Sequence, residues 1–180
     1  MKRKIILNLA MSIDGFIASE DGGFDWITGD GHNKLDTHKK WDFNEFLDNV
    51  DVIVMGSKCY EQNLHKDYPN KKIYVATSKS LKDHDNIQFI NGDICKAIEE
   101  ERQEKGKNIY LFGGGITIDS FIKADMIDEY IIGIIPTILG KGRPLFLGDN
   151  PKIDLHLDEY VIDKGITILK YVKREEKTFK

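Results

Sequence analysis

Three successive glycines, Gly113-Gly114-Gly115, are the residues whose type and spacing most directly suggest chemistry in this sequence. An apolar run at 109–112 precedes them and residues at helical spacing follow, which predicts a strand, a turn and a helix. Because glycines lack a Cβ atom, a ligand can lie on their backbone, and the first amides of the next helix are donors at the positive end of its dipole. This pattern fits a phosphate-binding turn. A tight strand-to-helix connection without a ligand gives the same pattern, and the run is neither a G-x-G-x-x-G fingerprint nor a P-loop.

Two aspartates are candidates for acid–base chemistry. Asp14 follows a predicted first strand at 5–11 and precedes a glycine, so it orients a substrate, relays a proton or only bonds the backbone of its own turn. Asp42 begins a predicted helix at 42–49, where an aspartate serves as N-cap or supplies a carboxylate to a substrate cleft. Burial of Asp42 against neighbouring aromatic rings would favour its protonated form near neutral pH.

Composition restricts the class of protein. With 180 residues, of which 41% are hydrophobic and 31% charged, the chain can bury a core, and one domain over 1–180 is the simplest organisation. The formal charge of -4, with lysines and acids interspersed, argues against nucleic-acid binding, and no apolar run approaches the ~20 residues of a membrane span. Cys59 and Cys95 are too few for a disulfide framework or a zinc site and indicate the reducing cytoplasm. The histidines show no metal-binding spacing, so we expect no metal.

The order of the predicted elements indicates an α/β fold. Strands and helices alternate, and two strands joined by a hairpin turn at 163–165 close the chain. We therefore expect a three-layer α/β/α arrangement with a mainly parallel mixed sheet and an antiparallel C-terminal hairpin. Strands are predicted at 5–11, 16–18, 51–55, 73–76, 87–90, 109–112, 130–135, 155–162 and 166–172. Helices are predicted at 42–49, from about Ser57 with Ser57 as N-cap, at 93–105 and at 117–124.

This fold would position the candidate residues at one edge of the sheet. Ligands of a largely parallel sheet bind beyond the carboxyl ends of the strands, where the strand order reverses. The residues predicted at these ends are Ala10, Gly56, Thr77 and Gly113. The long irregular stretch at 19–40 is typical of a lid or binding loop. Trp26 within it is placed to stack on a flat ligand, whereas Trp41 is expected to pack against the core.

Five sequence blocks, in this order, resemble the dihydrofolate-reductase-like superfamily. They span nearly the whole chain, and the S-x-D-G-x-I-A opening and the late P-x-x-L-G-x-G element are most similar to the reductase domain of the riboflavin-pathway deaminase-reductase. The H-x-E and P-C-x-x-C motifs of the deaminase half are absent. The blocks are 10–18 (AMSIDGFIA), 55–61 (MGSKCYE), 76–78 (ATS), 112–115 (FGGG) and 136–146 (PTILGKGRPLF).

The resemblance implies NADPH as cofactor and hydride transfer as the reaction. By it, the backbones of Ala10 and Ile17 hold the nicotinamide carboxamide. It assigns the pyrophosphate to Gly113, Gly114, Gly115, Ile116 and Thr117. It assigns the adenosine end to Gly56, Ser57, Lys58, Thr77, Ser78 and Lys79. The catalytic candidates are Asp14 and Asp42. The expected substrate contacts are Asn8, Ser12, Trp26 and Phe46.

Three features depart from the family pattern. Ser57 stands where dihydrofolate reductases usually have arginine, so recognition of the ribose phosphate has to rely on Lys58 or Lys79, which lack the bidentate fork of arginine. Phe112 stands where the riboflavin-pathway reductases often carry an acid. The leucine-proline-tryptophan loop motif of dihydrofolate reductases is absent, although residues 42–46 resemble the helix that carries their pterin-binding carboxylate.

The sequence therefore predicts an NADPH-dependent reductase acting on a C=N or C=O group of a small pterin-like or ribosylaminopyrimidine-like substrate. It would be similar to 5-amino-6-(5-phosphoribosylamino)uracil reductase. The alternatives are a dihydrofolate reductase and a non-catalytic nucleotide-binding protein. The hairpin at 155–172 carries apolar residues on both strand faces, more than a solvent-facing edge requires, so we also expect a homodimer.

Overall fold

An eight-stranded sheet forms the centre of the structure, a computed structural model that describes residues 2–174. The strands are β1 (Ile5–Ser12), β2 (Phe16–Ala18), β3 (Val50–Gly56), β4 (Lys72–Thr77), β5 (Ile87–Asn91), β6 (Asn108–Gly113), β7 (Glu129–Ile135), β8 (Arg143–Pro144), β9 (Leu155–Asp163) and β10 (Ile166–Lys173). The helices are α1 (Phe43–Asp48), α2 (Ser57–Glu61), α3 (Ile94–Gln103) and α4 (Gly115–Lys123), with a 3₁₀ turn at Leu64–Asp67. The predicted single domain over 1–180 extends outside the described residues at both ends.

The sheet has the strand order β5-β4-β3-β6-β1-β7-β10-β9, and β2 and β8 form a separate two-stranded sheet. Neighbouring strands from β5 to β7 run parallel, whereas β10 pairs antiparallel with both β7 and β9. The central strands are apolar on both faces because helices cover both sides of a parallel sheet. The predicted mainly parallel sheet with an antiparallel C-terminal hairpin is therefore confirmed.

Helices on the two faces of the sheet build two hydrophobic clusters. On one face, α3 and α4 pack through Ile98, Ile118 and Phe121, which are fully buried. The other face is covered by α1 and α2 and is rich in rings, so we call it the aromatic face. Its rings are those of Trp41, Phe43, Phe46, Tyr68, Tyr110 and Phe112.

Three local features differ from the sequence predictions. The predicted N-cap of α2 was Ser57, but the cap is Gly56 and Ser57 is the first helical residue. Helix α4 begins two residues before the predicted start at 117, because Gly114, at φ 90° and ψ 110°, ends β6 abruptly. Strand β8 has only two residues, too few to give a periodic signal in the sequence.

The irregular stretch at 19–40 is fastened to the tip of the β9–β10 hairpin. The Asp36 carboxylate accepts a hydrogen bond from the Lys164 amide at 2.8 Å. The Lys40 ammonium pairs with Asp36 at 2.6 Å and with Asp163 at 2.8 Å. The hairpin therefore fixes one end of the stretch that the sequence predicted as a lid.

A buried ionic cluster lies at the amino-terminal edge of the sheet. The Arg3 side chain is 4% exposed and pairs with Asp51 and, at 2.8 Å, with Glu101. Lys72 and Tyr74 also donate to Glu101, at 2.7 and 2.8 Å. Burial alone would raise the pKa of Glu101, but the hydrogen bonds from Lys72, Arg3 and Tyr74 together hold it below its ordinary value. The cluster ties α3 to the sheet at the end opposite the predicted ligand site.

Candidate active site

Gly56 and Gly114 meet where the neighbouring strands β3 and β6 end. A Cβ atom built on Gly114 would lie 3.3 Å from the Gly56 Cα atom, and one built on Gly56 would lie 3.0 Å from Thr117 Oγ1. By contrast, a Cβ atom on Gly113 would meet no atom within 4 Å. The two backbones touch beside an open space bounded by glycine, which is the shape that a phosphate-binding turn requires.

The first turn of α4 begins directly at this contact. Its N-cap, Gly114, offers no side chain to the turn, and Ile118 donates the first helical hydrogen bond to the Gly114 carbonyl at 2.9 Å. The amides of Gly115, Ile116 and Thr117 are thus left at the positive end of the helix dipole. Such a group of amides can bind an anion.

The residues predicted for the adenosine end follow β3 and β4. Ser57 opens α2, which also has no side-chain cap, and Lys58 is exposed. After β4, the Thr77 hydroxyl accepts a hydrogen bond from the Lys79 amide at 3.0 Å, which fixes the turn. The Lys79 ammonium lies 3.5 Å from Glu61, and both side chains are exposed, so this ion pair restrains the lysine little. The structure brings these predicted residues to one edge of the sheet.

Ala10 and Ile17, the residues expected at the nicotinamide, lie on β1 and β2. Ala10 pairs with Gly133 of β7, and a Cβ atom on Gly133 would lie 3.9 Å from the Ala10 Cα atom. Small residues on both strands keep side-chain bulk low on this part of the sheet. Ile17 packs its side chain against the α3–α4 cluster, so its backbone is the part left to contact a ligand.

Asn8 faces the aromatic face, two residues after Ile6 on β1. It is 8% exposed, and no group within residues 2–174 bonds its buried Nδ2 atom. The Tyr110 hydroxyl donates to the Asn8 main-chain carbonyl at 3.0 Å, and its ring stands edge-on to Phe46 at 5.0 Å. Burial raises the pKa of Tyr110 well above its ordinary value. Together with Phe112, 5.6 Å from Tyr110, these residues form an uncharged wall.

Asp14 is held by Ser12 and by the loop that follows β7. Ser12 is fully buried, and its hydroxyl donates to Asp14 Oδ1 at 2.7 Å and accepts from the Phe16 amide at 3.0 Å. The amides of Leu139 and Gly140 donate to the same carboxylate, at 3.1 and 2.8 Å. The hydrogen bond from Ser12 is the main cause that lowers the pKa of Asp14. Asp14 is therefore ionised at neutral pH and ties the β1–β2 turn to the loop at 136–142.

Asp42 is exposed, so the expectation of a carboxylate buried among aromatic rings is wrong. Its Oδ1 atom accepts hydrogen bonds from the amides of Asn44 and Glu45, at 2.8 and 3.0 Å. These bonds confirm the N-cap interpretation. The start of α1 stays at the surface because only Phe46 of this short helix is buried.

The two tryptophans lie in different surroundings. Trp41 packs against Phe46 with ring centroids 5.9 Å apart, which confirms its predicted packing role. Trp26 is half-buried in the loop at 19–40, and its indole donates to the Gly23 carbonyl at 3.3 Å. Within residues 2–174 its ring stacks on no other aromatic ring.

Arg143 is a residue at this edge that the sequence did not single out. A Cβ atom on Gly22 would lie 2.9 Å from both Arg143 Nη1 and Gln62 Nε2. The guanidinium therefore lies between the end of α2 and the start of the loop at 19–40. Its only signal in the sequence is its place in the block at 136–146.

The remaining reactive groups suggest no second centre. Both cysteines are free thiols. Burial raises the pKa of both thiols, that of Cys95 to about 11. Across the part of the chain that the structure describes, no three His, Cys, Asp or Glu side chains are grouped to hold a metal. Within residues 2–174 no helix is both long and apolar enough to cross a membrane.

Two open clefts lie near the amino-terminal ends of the parallel strands, away from the glycines. Lys2, Arg3 and Arg102 line one of them. Lys123, Lys152 and other charged residues line the second. Because ligands of such sheets bind at the carboxyl ends of the strands, we place the site at the glycines rather than in these clefts.

A known protein family matches most of this chain. The family model described as the RibD C-terminal domain matches residues 3–166. YwjB of Bacillus subtilis (strain 168), an uncharacterized protein, is 37% identical over 154 residues, which cover 81% of this chain and 84% of the relative.

Solved structures show the same architecture. A Shewanella sp. PV-4 protein, provisionally described as a riboflavin biosynthesis protein, superposes with a TM-score of 0.79 at 28% identity, covering 97% of this chain and 100% of that one. The Thermotoga maritima diaminohydroxyphosphoribosylaminopyrimidine deaminase/5-amino-6-(5-phosphoribosylamino)uracil reductase gives a TM-score of 0.69 at 14% identity, over 96% of this chain and 57% of that one, a likeness of fold. The fold is dihydrofolate-reductase-like, and the chain belongs to the RibD C-terminal domain family.

Proposed function

We propose that the protein is an NADPH-dependent reductase that transfers a hydride to a C=N or C=O group of a small heterocyclic substrate. The reaction would resemble that of 5-amino-6-(5-phosphoribosylamino)uracil reductase. The contact of Gly56 with Gly114, beside the uncapped first turn of α4, is the observation that carries the proposal. Amides at a helix N-terminus beside glycine backbone suit the pyrophosphate of a dinucleotide, and the family supports a reductase-like role.

NADPH fits the residues at the strand ends, and when bound it supplies the hydride. We assign its pyrophosphate to the backbone at 113–117 and its nicotinamide carboxamide to the backbones of Ala10 and Ile17. Lys58 and Lys79 supply positive charge for the ribose phosphate, because Ser57 offers none. The other residues assigned to the adenosine end are Gly56, Ser57, Thr77 and Ser78.

The aromatic face supplies the substrate wall in this proposal. Asn8 offers an amide among the rings of Phe46, Tyr110 and Phe112. An uncharged planar ring with a hydrogen-bond acceptor is the kind of ligand that such a wall binds. The loop at 19–40, which carries Trp26, would exclude water from the reacting groups. Ser12, being fully buried, would act on the substrate only through Asp14.

The two aspartates have different proposed roles. Asp14 accepts hydrogen bonds from Ser12, Leu139 and Gly140 and positions the turn between Ala10 and Ile17. The cap interactions of Asp42 use Oδ1, and its Oδ2 atom bonds no group among the described residues. Because Asp42 is exposed at the start of the helix that carries Phe46, its role would be to take up one proton from solvent and pass it to the substrate atom adjacent to the carbon that accepts the hydride.

The test is to mix the protein with NADPH and 5-amino-6-(5-phosphoribosylamino)uracil and to follow the absorbance of the reduced nicotinamide. We expect oxidation of NADPH, and faster oxidation than with dihydrofolate. Faster reduction of dihydrofolate would identify a dihydrofolate reductase instead. NADPH binding without oxidation by either substrate would identify a nucleotide-binding protein.

We further propose that the protein works in the cytoplasm as a homodimer. Both cysteines are free thiols, as expected in a reducing compartment. Strand β9 is an edge of the eight-stranded sheet, and Leu157 and Tyr160 on it are exposed. An edge strand that carries large apolar side chains is suited to pairing with a second copy.

A further inference from the structure

Arg143 places its guanidinium against Gly22. Its backbone forms β8, paired with Ala18 of β2, and its side chain lies against Gly22, where a Cβ atom would be 2.9 Å from Arg143 Nη1. Gln62 flanks the same glycine and donates to its carbonyl at 3.1 Å. Gly22 is buried and has a φ of 92°, a conformation that residues with a side chain rarely adopt.

This half-buried guanidinium has no acceptor in the part of the chain that the structure describes. The two buried arginines both have one: Arg3 pairs with Glu101 at 2.8 Å and Arg102 with Asp128 at 2.5 Å. An arginine is always charged and carries five N–H donors. Within residues 2–174 none of the Arg143 donors is a buried unpaired atom, so they remain accessible to a ligand. Arg143 is therefore suited to an anion from outside the chain.

Two sets of contacts connect Arg143 to the glycines of the active site. On one side, Pro144 directly follows it, and a Cβ atom on Gly115 would lie 3.2 Å from the Pro144 carbonyl oxygen. On the other side, the Arg143 guanidinium and the Gln62 amide meet at Gly22, and Gln62 ends α2, the helix that begins after Gly56. Arg143 is therefore connected through its backbone to the first residue of α4 and through its side chain to the end of α2.

We propose that Arg143 binds a phosphoryl group of a ligand that lies across the Gly56–Gly114 contact. The identity of this ligand rests on the proposed function, because the phosphoryl group belongs either to the dinucleotide or to a phosphorylated substrate. A guanidinium forms bidentate, charge-assisted hydrogen bonds to phosphate, which Lys58 and Lys79 cannot form. Arg143 would then provide, from a different element, the guanidinium that is missing at Ser57.

Three variants separate phosphoryl binding from a general loss of charge. Arg143→Gln removes the guanidinium, Arg143→Lys keeps the charge without the fork, and Lys141→Gln is the matched control. Lys141 lies on the same loop, is 78% exposed and pairs with Glu20. We expect R143Q to weaken binding of the phosphoryl-bearing ligand ~10- to 100-fold, R143K to weaken it less, and K141Q to leave it unchanged. Thermal unfolding verifies that each variant is folded. If R143Q is not folded, R143K is compared with wild type in its place.

Two ligand series identify the source of the phosphoryl group. Calorimetric titration with NADPH measures the cofactor, and the KM values of the phosphoribosyl aminouracil and of its dephosphorylated nucleoside measure the substrate. Weaker NADPH binding by R143Q, with a less steep dependence on NaCl than wild type, places the group on the cofactor. Unchanged NADPH affinity with a raised KM for the phosphorylated substrate alone places it on the substrate. Unchanged values in both series would overturn the inference.

Failure of the proposed function is distinguishable from failure of this inference. If wild-type protein does not bind NADPH, inorganic pyrophosphate replaces it in the titration. Tighter pyrophosphate binding by wild type than by R143Q would sustain the role of Arg143 while the reductase proposal fails. Equal binding by the two proteins would remove Arg143 from any phosphoryl site.

Discussion

A Cβ atom on Gly114 would lie 3.3 Å from the Cα atom of Gly56, so the segments that follow β3 and β6 touch through backbone alone. Gly114 also has a φ of 90°, a conformation that side-chain-bearing residues adopt only with strain. The contact holds two strand ends together at the place where we assign the pyrophosphate. The same glycine therefore serves both the fold and the proposed cofactor site.

Gly114→Val should abolish NADPH binding and also lower the free energy of unfolding by about 1–3 kcal/mol. Valine is strained at the Gly114 backbone angles, and its side chain would press on Gly56. Calorimetric titration measures the loss of NADPH binding, and urea denaturation measures the loss of stability. A variant as stable as wild type would show that the contact does not stabilise the fold.

An acidic substitution in the first turn of α4 separates the role of this region in stability from its proposed role in cofactor binding. Ile116 is 75% exposed, so Ile116→Asp removes little packing, and an acid at this end of a helix is stabilising by ~0.3–1 kcal/mol. The added charge would repel pyrophosphate, so we expect retained stability with NADPH affinity reduced by about 10-fold. Ile116→Asn is the neutral control. Wild-type affinity in I116D would contradict the assignment of pyrophosphate to α4.

More of the fold than of the candidate site could be predicted from the sequence. Apolar runs between turn residues located every strand except β8. The buried central strands leave a local apolar signal, and the turn at 163–165 marks the less buried hairpin of β9 and β10. The contact between Gly56 and Gly114 joins residues far apart in the chain, and no local pattern contains it. The packing of Arg143 against Gly22 likewise depends on tertiary structure. The exposure of Asp42 reflects how little of the short helix α1 is buried, which the pattern of a helix start does not show.

Asp42→Asn tests the proposed proton relay without disturbing the helix. Asparagine caps a helix as well as aspartate does, so we expect unchanged thermal stability and NADPH affinity, with kcat lowered ~100-fold. Asp42→Ala is the comparison, since it also loses the cap and should cost about 1 kcal/mol of stability. Wild-type kcat in D42N would assign the proton to water and leave Asp42 as an N-cap only.

The cluster around Glu101 predicts a loss of stability in acid. Because hydrogen bonds from Lys72, Arg3 and Tyr74 hold the folded-state pKa of Glu101 below its ordinary value despite burial, its contribution is complete above the unfolded pKa of about 4.3 and is lost as pH falls through the folded value. Urea denaturation from pH 7 to pH 3 should show this fall.

Glu101→Gln should lower the free energy of unfolding at pH 7 by about 3 kcal/mol or more, because it leaves the buried Arg3 short of a charged partner. The substitution should also make the free energy of unfolding less dependent on pH between pH 7 and pH 3. Glu100→Gln, at the exposed neighbouring position, is the matched control. Equal pH profiles for E101Q and E100Q would show that Glu101 is not the group responsible.

The exposed edge of the sheet predicts self-association. Leu157 and Tyr160 on β9 are 44% and 58% exposed, and we expect sedimentation to show a dimer at micromolar concentration. Tyr160→Lys should produce a monomer of unchanged stability, since lysine on an edge strand opposes pairing. A monomeric wild-type protein would reject the proposal.

Calorimetric titration of the wild-type protein with NADPH, and then with NADH, tests the central claim most directly. We predict one NADPH bound per chain, with an affinity at least about 5-fold higher than that for NADH, because Lys58 and Lys79 favour the ribose phosphate. Equal affinities would remove the two lysines from cofactor recognition. No binding of NADPH at all would contradict the assignment of a dinucleotide site to the Gly56–Gly114 contact.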